Sequence, residues 1–266
     1  MFEAKLTSSA LLKKLTEAMK ELVQDAPFDC GEDAISLQAM DASHVALVCL
    51  KMQAHGFETY RCDRAVNVGL SLANMSKAMK CASNDDSCTL RLSDDPDTIA
   101  FIFEDTNRDK QQEVEVKLMD LDQDQLGIPD QDYSCVVTMP AGEFQKVCRD
   151  LATFGDSLQV TCTKSGVQFE GKGDNGSNKV RFGQRAATKE DEVGVSIDLK
   201  EPVNITFAIK YMNSFAKATS LSDAVTLSMS NDVPIVVEYK LEDFGHLRFY
   251  LAPKIEDEDM QGDTEN

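Results

Sequence analysis

The sequence predicts an α+β fold of two similar halves, each carrying two short helices among strands. Three observations predict it. Most apolar residues alternate with polar ones or fall in short runs, as strands require. Four segments instead carry a helical period. The order helix, strands, helix, strands then recurs after about half of the 266 residues.

The first helix is expected over 9–22, where Leu11, Leu12, Leu15, Met19 and Leu22 share one arc. Ala34 to Met40 alternates apolar and polar side chains, and Val45 to Leu50 is an apolar run of strand length. A second helix over 72–82 gathers Leu72, Met75, Ala78, Met79 and Ala82, and Asn84-Asp85-Asp86 follows it as a turn. From Leu118 to Tyr133 the chain holds five aspartates and no basic residue, and Gly127 and Pro129 argue against a continuous helix or central strand. That stretch reads as a connector crossing the surface. The third helix, over 141–152, gathers Phe144, Val147, Cys148 and Leu151. Val195 to Leu199 alternates like a strand, and a fourth helix over 209–219 gathers Ile209, Met212, Phe215 and Ala216. Ile235-Val236-Val237 is a last apolar run before a polar tail with Glu256-Asp257-Glu258-Asp259, where no fixed structure is expected.

The repeat is faint in identity and clear in layout. Leu12-Lys13-Lys14-Leu15 aligns with Phe144-Gln145-Lys146-Val147, Lys80 with Lys217, and Thr89-Leu90 with Thr226-Leu227. The expected segments are a first domain over 1–117, a connector over 118–134, a second domain over 135–256 and an acidic flexible tail over 257–266.

Charge sharpens the reading. With 46 acidic against 27 basic residues the formal charge is −19, so the chain does not bind phosphates or anionic membranes through its overall charge. The lysines are nevertheless placed with a pattern. Opposite the apolar arcs lie Lys13, Lys14 and Lys20 on the first helix and Lys77 and Lys80 on the second. Lys146 and Arg149 take that position on the third helix, and Lys210 and Lys217 on the fourth. Lysine on a solvated helix face is ordinary for one helix. On four helices of an acidic chain it points to a basic surface that meets a polyanion locally. No aromatic residues are interleaved to stack on bases, which favours phosphate contact without sequence readout.

Other signals are weaker. No apolar run approaches the roughly 18 residues of a membrane span, and Met1-Phe2-Glu3-Ala4-Lys5 does not open a signal peptide. The eight cysteines form no C-x-x-C pair, so reduced and mostly buried thiols are expected. Gly171-Lys172-Gly173-Asp174-Asn175-Gly176 fits a dinucleotide fingerprint but runs into the strand-like Asn178–Phe182, so a hairpin turn is expected there. Asp120, Asp122 and Asp124 imitate a calcium loop that lacks its glycine and final glutamate. Asp41-Ala42-Ser43-His44 contains triad residue types, too close in sequence to assume a triad. No catalytic group, metal site or cofactor site stands out.

Several strings resemble one family. They are Met1–Leu6, Leu37-Gln38-Ala39-Met40-Asp41-Ala42-Ser43-His44-Val45, Tyr60-Arg61-Cys62-Asp63-Arg64 and Lys117-Leu118-Met119-Asp120-Leu121-Asp122. Gln125-Leu126-Gly127-Ile128-Pro129, Asn231-Asp232-Val233-Pro234 and Leu251-Ala252-Pro253-Lys254-Ile255-Glu256 continue the likeness. Across essentially the whole chain it resembles the proliferating cell nuclear antigen family, the eukaryotic DNA sliding clamps. The resemblance implies two similar domains of antiparallel sheets with two short helices each, assembled as a trimeric ring around duplex DNA. The helices would line the hole, so the basic set above, together with Lys110, would contact DNA. The strands Glu113-Val114-Glu115-Val116-Lys117 and Lys179-Val180-Arg181-Phe182 would pair between subunits.

Partners would dock a short motif with aromatic anchors under the connector. The implied pocket is Met40, His44, Val45 and Leu47 with Leu126, Ile128, Pro129 and Tyr133, closed by Pro234, Tyr250, Leu251, Ala252, Pro253 and Ile255. Lys164 would be the site of ubiquitin attachment. Implied partners are DNA polymerase, the clamp loader, flap endonuclease and DNA ligase, in the nucleus, without enzymatic activity, cofactor or membrane. One alternative is a subunit of a heteromeric checkpoint clamp. Another, from a different class, is an acidic hydrolase using paired carboxylates, against which the lack of metal-ligand spacing argues. The Asp85-Asp86 and Lys189-Glu190-Asp191-Glu192 loops, and a longer tail, depart from the family pattern.

Overall fold

The computed structural model describes residues 1–94, 96–105, 107–121, 126–129, 131–174, 176–187 and 193–254. Asp122, Asp124 and Asp130, the Lys189–Glu192 loop, Ile255 and the acidic tail lie outside the described residues.

The first half runs β1 (Phe2–Leu6), α1 (Ala10–Met19), β2 (Asp25–Cys30), β3 (Ala34–Met40), β4 (Ala46–Gln53), β5 (Thr59–Cys62), β6 (Val66–Ser71), α2 (Leu72–Lys80), β7 (Ser87–Leu92), β8 (Thr98–Asp105) and β9 (Lys110–Lys117). The second runs β10 (Cys135–Pro140), α3 (Ala141–Leu151), β11 (Ser157–Thr163), β12 (Gly166–Gly173), β13 (Gly176–Phe182), β14 (Ser196–Leu199), β15 (Val203–Ala208), α4 (Ile209–Phe215), β16 (Ala224–Met229), β17 (Ile235–Lys240) and β18 (Gly245–Leu251). Element for element the order is the same. Period-two burial drives the strands: in β1, Phe2, Ala4 and Leu6 are buried while Glu3 and Lys5 are half exposed. The helices bury the arcs read from the sequence, such as Phe144, Val147, Cys148 and Leu151 of α3.

The repeat extends to the backbone bonds that start each helix. None of the four N-cap residues caps its helix with its own side chain. Instead the Ser9 amide, just ahead of α1, donates to Asp86 O, and the Ala141 amide to Asp223 O, both at 2.8 Å. The Leu72 amide donates to Gln24 O at 2.8 Å and the Ile209 amide to Asp156 O at 2.9 Å. Amides that a helix leaves without an internal partner are thus used to fix it to a neighbouring loop.

Every strand pair among the described residues is antiparallel. β5-β1-β7-β8-β9 form one sheet and β13-β12-β11-β15 another. The third sheet has nine strands, because β18 of the second half pairs with β4 of the first, Gly245 opposite Met52 and Leu251 opposite Ala46. Under the repeat, β9 corresponds to β18 and β13 to β4. β9 and β13 each keep an open edge, paired on one side only, to β8 and β12 respectively. On the other side of the sheets the helices form one layer. α1 packs against α2 and against a 3-10 helix, Ala216–Leu221, which also packs against α3 and α4.

Two expectations are refined. The fourth helix is α-helical only to Phe215 and tightens into the 3-10 helix. There the Thr219 hydroxyl donates to Ala216 O at 2.6 Å and Gln145 of α3 donates to the same oxygen at 3.0 Å, drawing that carbonyl out of a regular α turn. The glycine-rich stretch is the β12–β13 hairpin, with Gly173 opposite Gly176. Cys30, Cys88, Cys135, Cys148 and Cys162 are buried, Cys49 and Cys62 half-buried and Cys81 exposed, and all eight are free thiols.

Candidate nucleic-acid interface and docking cleft

The helix layer presents its cations outward. Lys14, Lys77 and Lys80 of the first half are exposed, as are Lys146, Arg149, Lys210 and Lys217 of the second. Three acids of that face are engaged by them. Lys20 pairs with Glu17 at 2.5 Å, Lys217 reaches Glu21 across the two halves, and Arg149 pairs with Asp150 at 3.3 Å. Lys20, with help from the Ser76 hydroxyl, holds the Glu17 carboxyl below its ordinary range. Such surface pairs are weak. Lys13 turns aside, its ammonium donating to Ala82 O and, at 3.2 Å, to Asn84 Oδ1. Lys110 stands apart from the helices, exposed at the start of β9.

The open edges carry complementary charge. On β9, Glu113, Glu115 and Lys117 point outward while Val116 is buried and Val114 half-buried. On β13, Lys179 and Arg181 point outward and Val180 and Phe182 pack against the core. Lys179 already meets Glu170 at 3.0 Å, and Arg181 donates to Gln168 at 2.9 Å.

The connector crosses the outer face of the nine-stranded sheet. It begins where Met119 donates to Gly69 O at 3.0 Å on the edge of β6. A Cβ at Gly69 would stand 2.2 Å from Met119 O, so only glycine permits this approach. Further on, the Gln38 side chain clamps the Leu126 backbone, and Ser230 Oγ accepts the Ser134 amide at 2.8 Å. Between these fixed points a cleft of about 400 Å³ opens, lined by Met40, His44, Val45, Leu47, Leu126, Ile128, Pro129, Tyr133, Pro234, Tyr250 and Ala252. Leu126, Ile128 and Val45 are 48%, 40% and 37% exposed, an apolar cluster left to water. A more polar chamber of about 480 Å³ shares Ile128, Pro129, Tyr133 and Tyr250 with it and reaches Arg248 and Glu238.

Two of the implied pocket positions, Leu251 and Pro253, are not among the residues that line this cleft. Leu251 is 1% exposed and faces the core, because on β18 it alternates with Tyr250, which faces the cleft. Pro253 does not line the cleft, and Ile255 lies outside the described residues. Ala46, Gly127 and Gln131 line it in addition. Gln38 went unnoticed in the sequence, although its outward place on β3, beside Ser36 and Met40, was a usable signal. Lys164 is exposed in the turn between β11 and β12. Asp41-Ala42-Ser43-His44 is a tight turn and forms no triad: both Asp41 oxygens accept backbone amides, and His44 takes φ +57°.

The family model described as proliferating cell nuclear antigen, N-terminal domain, matches residues 1–126, and its C-terminal-domain counterpart matches residues 127–254. Proliferating cell nuclear antigen of Caenorhabditis elegans is 60% identical over 260 residues, covering 97% of this chain and 99% of that protein.

Proposed function

The chain belongs to the proliferating cell nuclear antigen family and is a DNA sliding clamp, a non-enzymatic processivity factor for replication and repair; from that premise we propose how its own residues do the work. Three copies close into a homotrimeric ring through β9 of one and β13 of the next. One observation carries this reading: the open edges are the repeat equivalents of the edges already joined inside the chain, β18 and β4. Transferring the ladder registers strand by strand across the repeat sets Glu113 opposite Lys179 and Gln111 opposite Arg181. The inter-subunit joint then repeats the intra-chain one, and no sheet edge of this pair stays open to aggregation. A heteromeric checkpoint clamp is not favoured, since both halves of the joint are present in one chain.

In that ring the helix layer lines the hole. Lys14, Lys20, Lys77, Lys80, Lys146, Arg149, Lys210 and Lys217 meet the phosphates, with Lys13 and Lys110 at the margins. Closure of the ring around the duplex keeps it on DNA, and contact to phosphates without reading sequence lets it slide. The acidic remainder repels DNA from the outer surface.

The connector cleft takes the aromatic anchors of partner motifs: those of DNA polymerase, the clamp loader, flap endonuclease and DNA ligase. Each anchor buried against Leu126, Ile128 and Tyr133 contributes about 1.5–3 kcal/mol. The domains span 1–117 and 135–256, bridged by 118–134. The site of action is the nucleus, and Lys164, on its exposed turn, accepts ubiquitin.

Sedimentation and retention test the whole reading. The purified chain is expected to run as a trimer of 29.4 kDa subunits. It is expected to stay on a closed circular DNA after loading and to run off when the circle is cut. A monomer at working concentration, or equal retention on linear DNA, would sink it.

A further inference from the structure

The wall of the docking cleft that carries His44 and Val45 is a short loop between β3 and β4, and its shape is set by one carboxylate. Asp41 Oδ1 accepts the Val45 and Ala46 amides, both at 2.8 Å, and Oδ2 accepts the Ser43 amide at 3.1 Å. The Asp41 backbone closes the same turn, taking the His44 amide at 3.0 Å and donating to Ala46 O at 2.9 Å. One further bond reaches Asp41 from far away in the chain. The Tyr211 hydroxyl of α4 donates to Oδ2 at 2.8 Å. Asp41 and Tyr211 are 7% and 8% exposed, so water is poorly placed to replace either partner. Tyr211 is itself held, its ring covered by Lys210 with Nζ 4.8 Å from the centroid.

We infer that Tyr211 is a positioning residue of the docking cleft, acting through Asp41 to hold His44 and Val45 where a partner's anchor meets them. A buried carboxylate deprived of a donor regains one by moving toward water. Here that movement carries the Ser43–Ala46 turn with it. His44 is the position most exposed to the change, because its positive φ persists only while the surrounding bonds impose it. Tyr211 is not among the residues that line the cleft itself. The inference rests on the cleft being the docking site.

The test is Tyr211→Phe, which keeps the ring and removes the donor, compared with Asp41→Asn and the double variant. Two quantities are read: amide hydrogen exchange at Val45 and Ala46, and the affinity of a labelled peptide carrying adjacent phenylalanines. Tyr211→Phe is expected to speed exchange at both amides and weaken the peptide about tenfold, with trimer mass and melting temperature near wild type. The double variant is expected to lose little more than Asp41→Asn alone, since both break one chain of contacts. Unchanged exchange and affinity in Tyr211→Phe overturn the inference, and so do additive losses. If wild type and Leu126→Ala/Ile128→Ala bind the peptide equally, the docking reading itself falls and takes the inference with it.

Discussion

Gln38 grips Leu126 by both ends of its amide: Nε2 donates to Leu126 O at 3.0 Å, and Oε1 accepts the Leu126 N–H. The contact joins β3 to the middle of the connector, two elements far apart in sequence. It fixes the backbone of a residue whose side chain is half exposed in the cleft. Gln38→Ala is therefore expected to release Leu126 and weaken peptide binding about threefold to tenfold, one to two hydrogen bonds' worth. Thermal melting should shift little, because the contact lies on the surface. Fluorescence anisotropy with the labelled peptide checks it, and an unchanged affinity would mean that Ile128 and the apolar walls suffice.

Gly69→Ala attacks the connector at its start. The added methyl meets Met119 O and the Leu121 side chain, with Cγ at 2.7 Å. The expected cost is about 1–3 kcal/mol if the contact is absorbed by strain. If instead the connector lifts from β6, the cost is smaller and exchange of the Met119 amide rises. Measuring stability and amide exchange together distinguishes the two, and an effect on neither contradicts the packing.

Charge reversal addresses the seam. Lys179→Glu places a carboxylate opposite Glu113 and beside Glu170, so the trimer fraction should fall on dilution, most at low salt. Glu113→Lys added to it should restore much of the deficit, since each opposed pair contributes only about 0.2–1 kcal/mol but a like pair opposes association. Analytical ultracentrifugation of wild type, both single variants and the double reads the cycle. No recovery in the double variant would assign these residues to separate places.

Removing cations from the helix layer should change the salt dependence. Combining Lys20→Ala, Lys77→Ala, Arg149→Ala and Lys217→Ala is expected to flatten the log–log slope by about 0.9 for each phosphate left without its cation. The trimer should survive, because these side chains point away from the core. A slope equal to wild type would remove the helix layer from the DNA path.

Acid should undo the Asp41 turn. Burial pulls this carboxyl up, but hydrogen bonds from the Ala46 amide, the Tyr211 hydroxyl and the Val45 and Ser43 amides outweigh it and hold the group below its ordinary value. A depressed carboxylate contributes stability that is complete above its unfolded value, about 4, and disappears as pH falls through the folded one. Wild type should thus exceed Asp41→Asn in stability by about 2 kcal/mol at neutral pH, with the gap narrowing as pH falls below about 4. Urea unfolding across pH measures it, and a gap independent of pH would tie the difference to packing instead.

What the sequence determined by itself was whatever repeats along the chain. The apolar arc of Phe144, Val147, Cys148 and Leu151 and the cations opposite it follow from the 3.6-residue turn, so the basic faces were readable before any fold was known. The alternation of Ala34 to Met40 marked β3 from end to end, and the repeated order of elements marked two equivalent halves. The cleft as a site came from resemblance, because its walls, β3, the connector and β18, share no local pattern. Tertiary structure alone decided that Leu251 turns inward while Tyr250 lines the cleft, and that α4 runs into a tighter 3-10 turn at Ala216. It alone joined Gln38 to Leu126, Lys217 to Glu21 and Tyr211 to Asp41. The reason is one of range. Periodicity reports which side of an element is buried, since that is a property of neighbours three or four residues apart. Which distant element does the burying is set by the β18–β4 ladder and the packing of four helices into one layer, and contacts of that range leave no mark on the residues that make them.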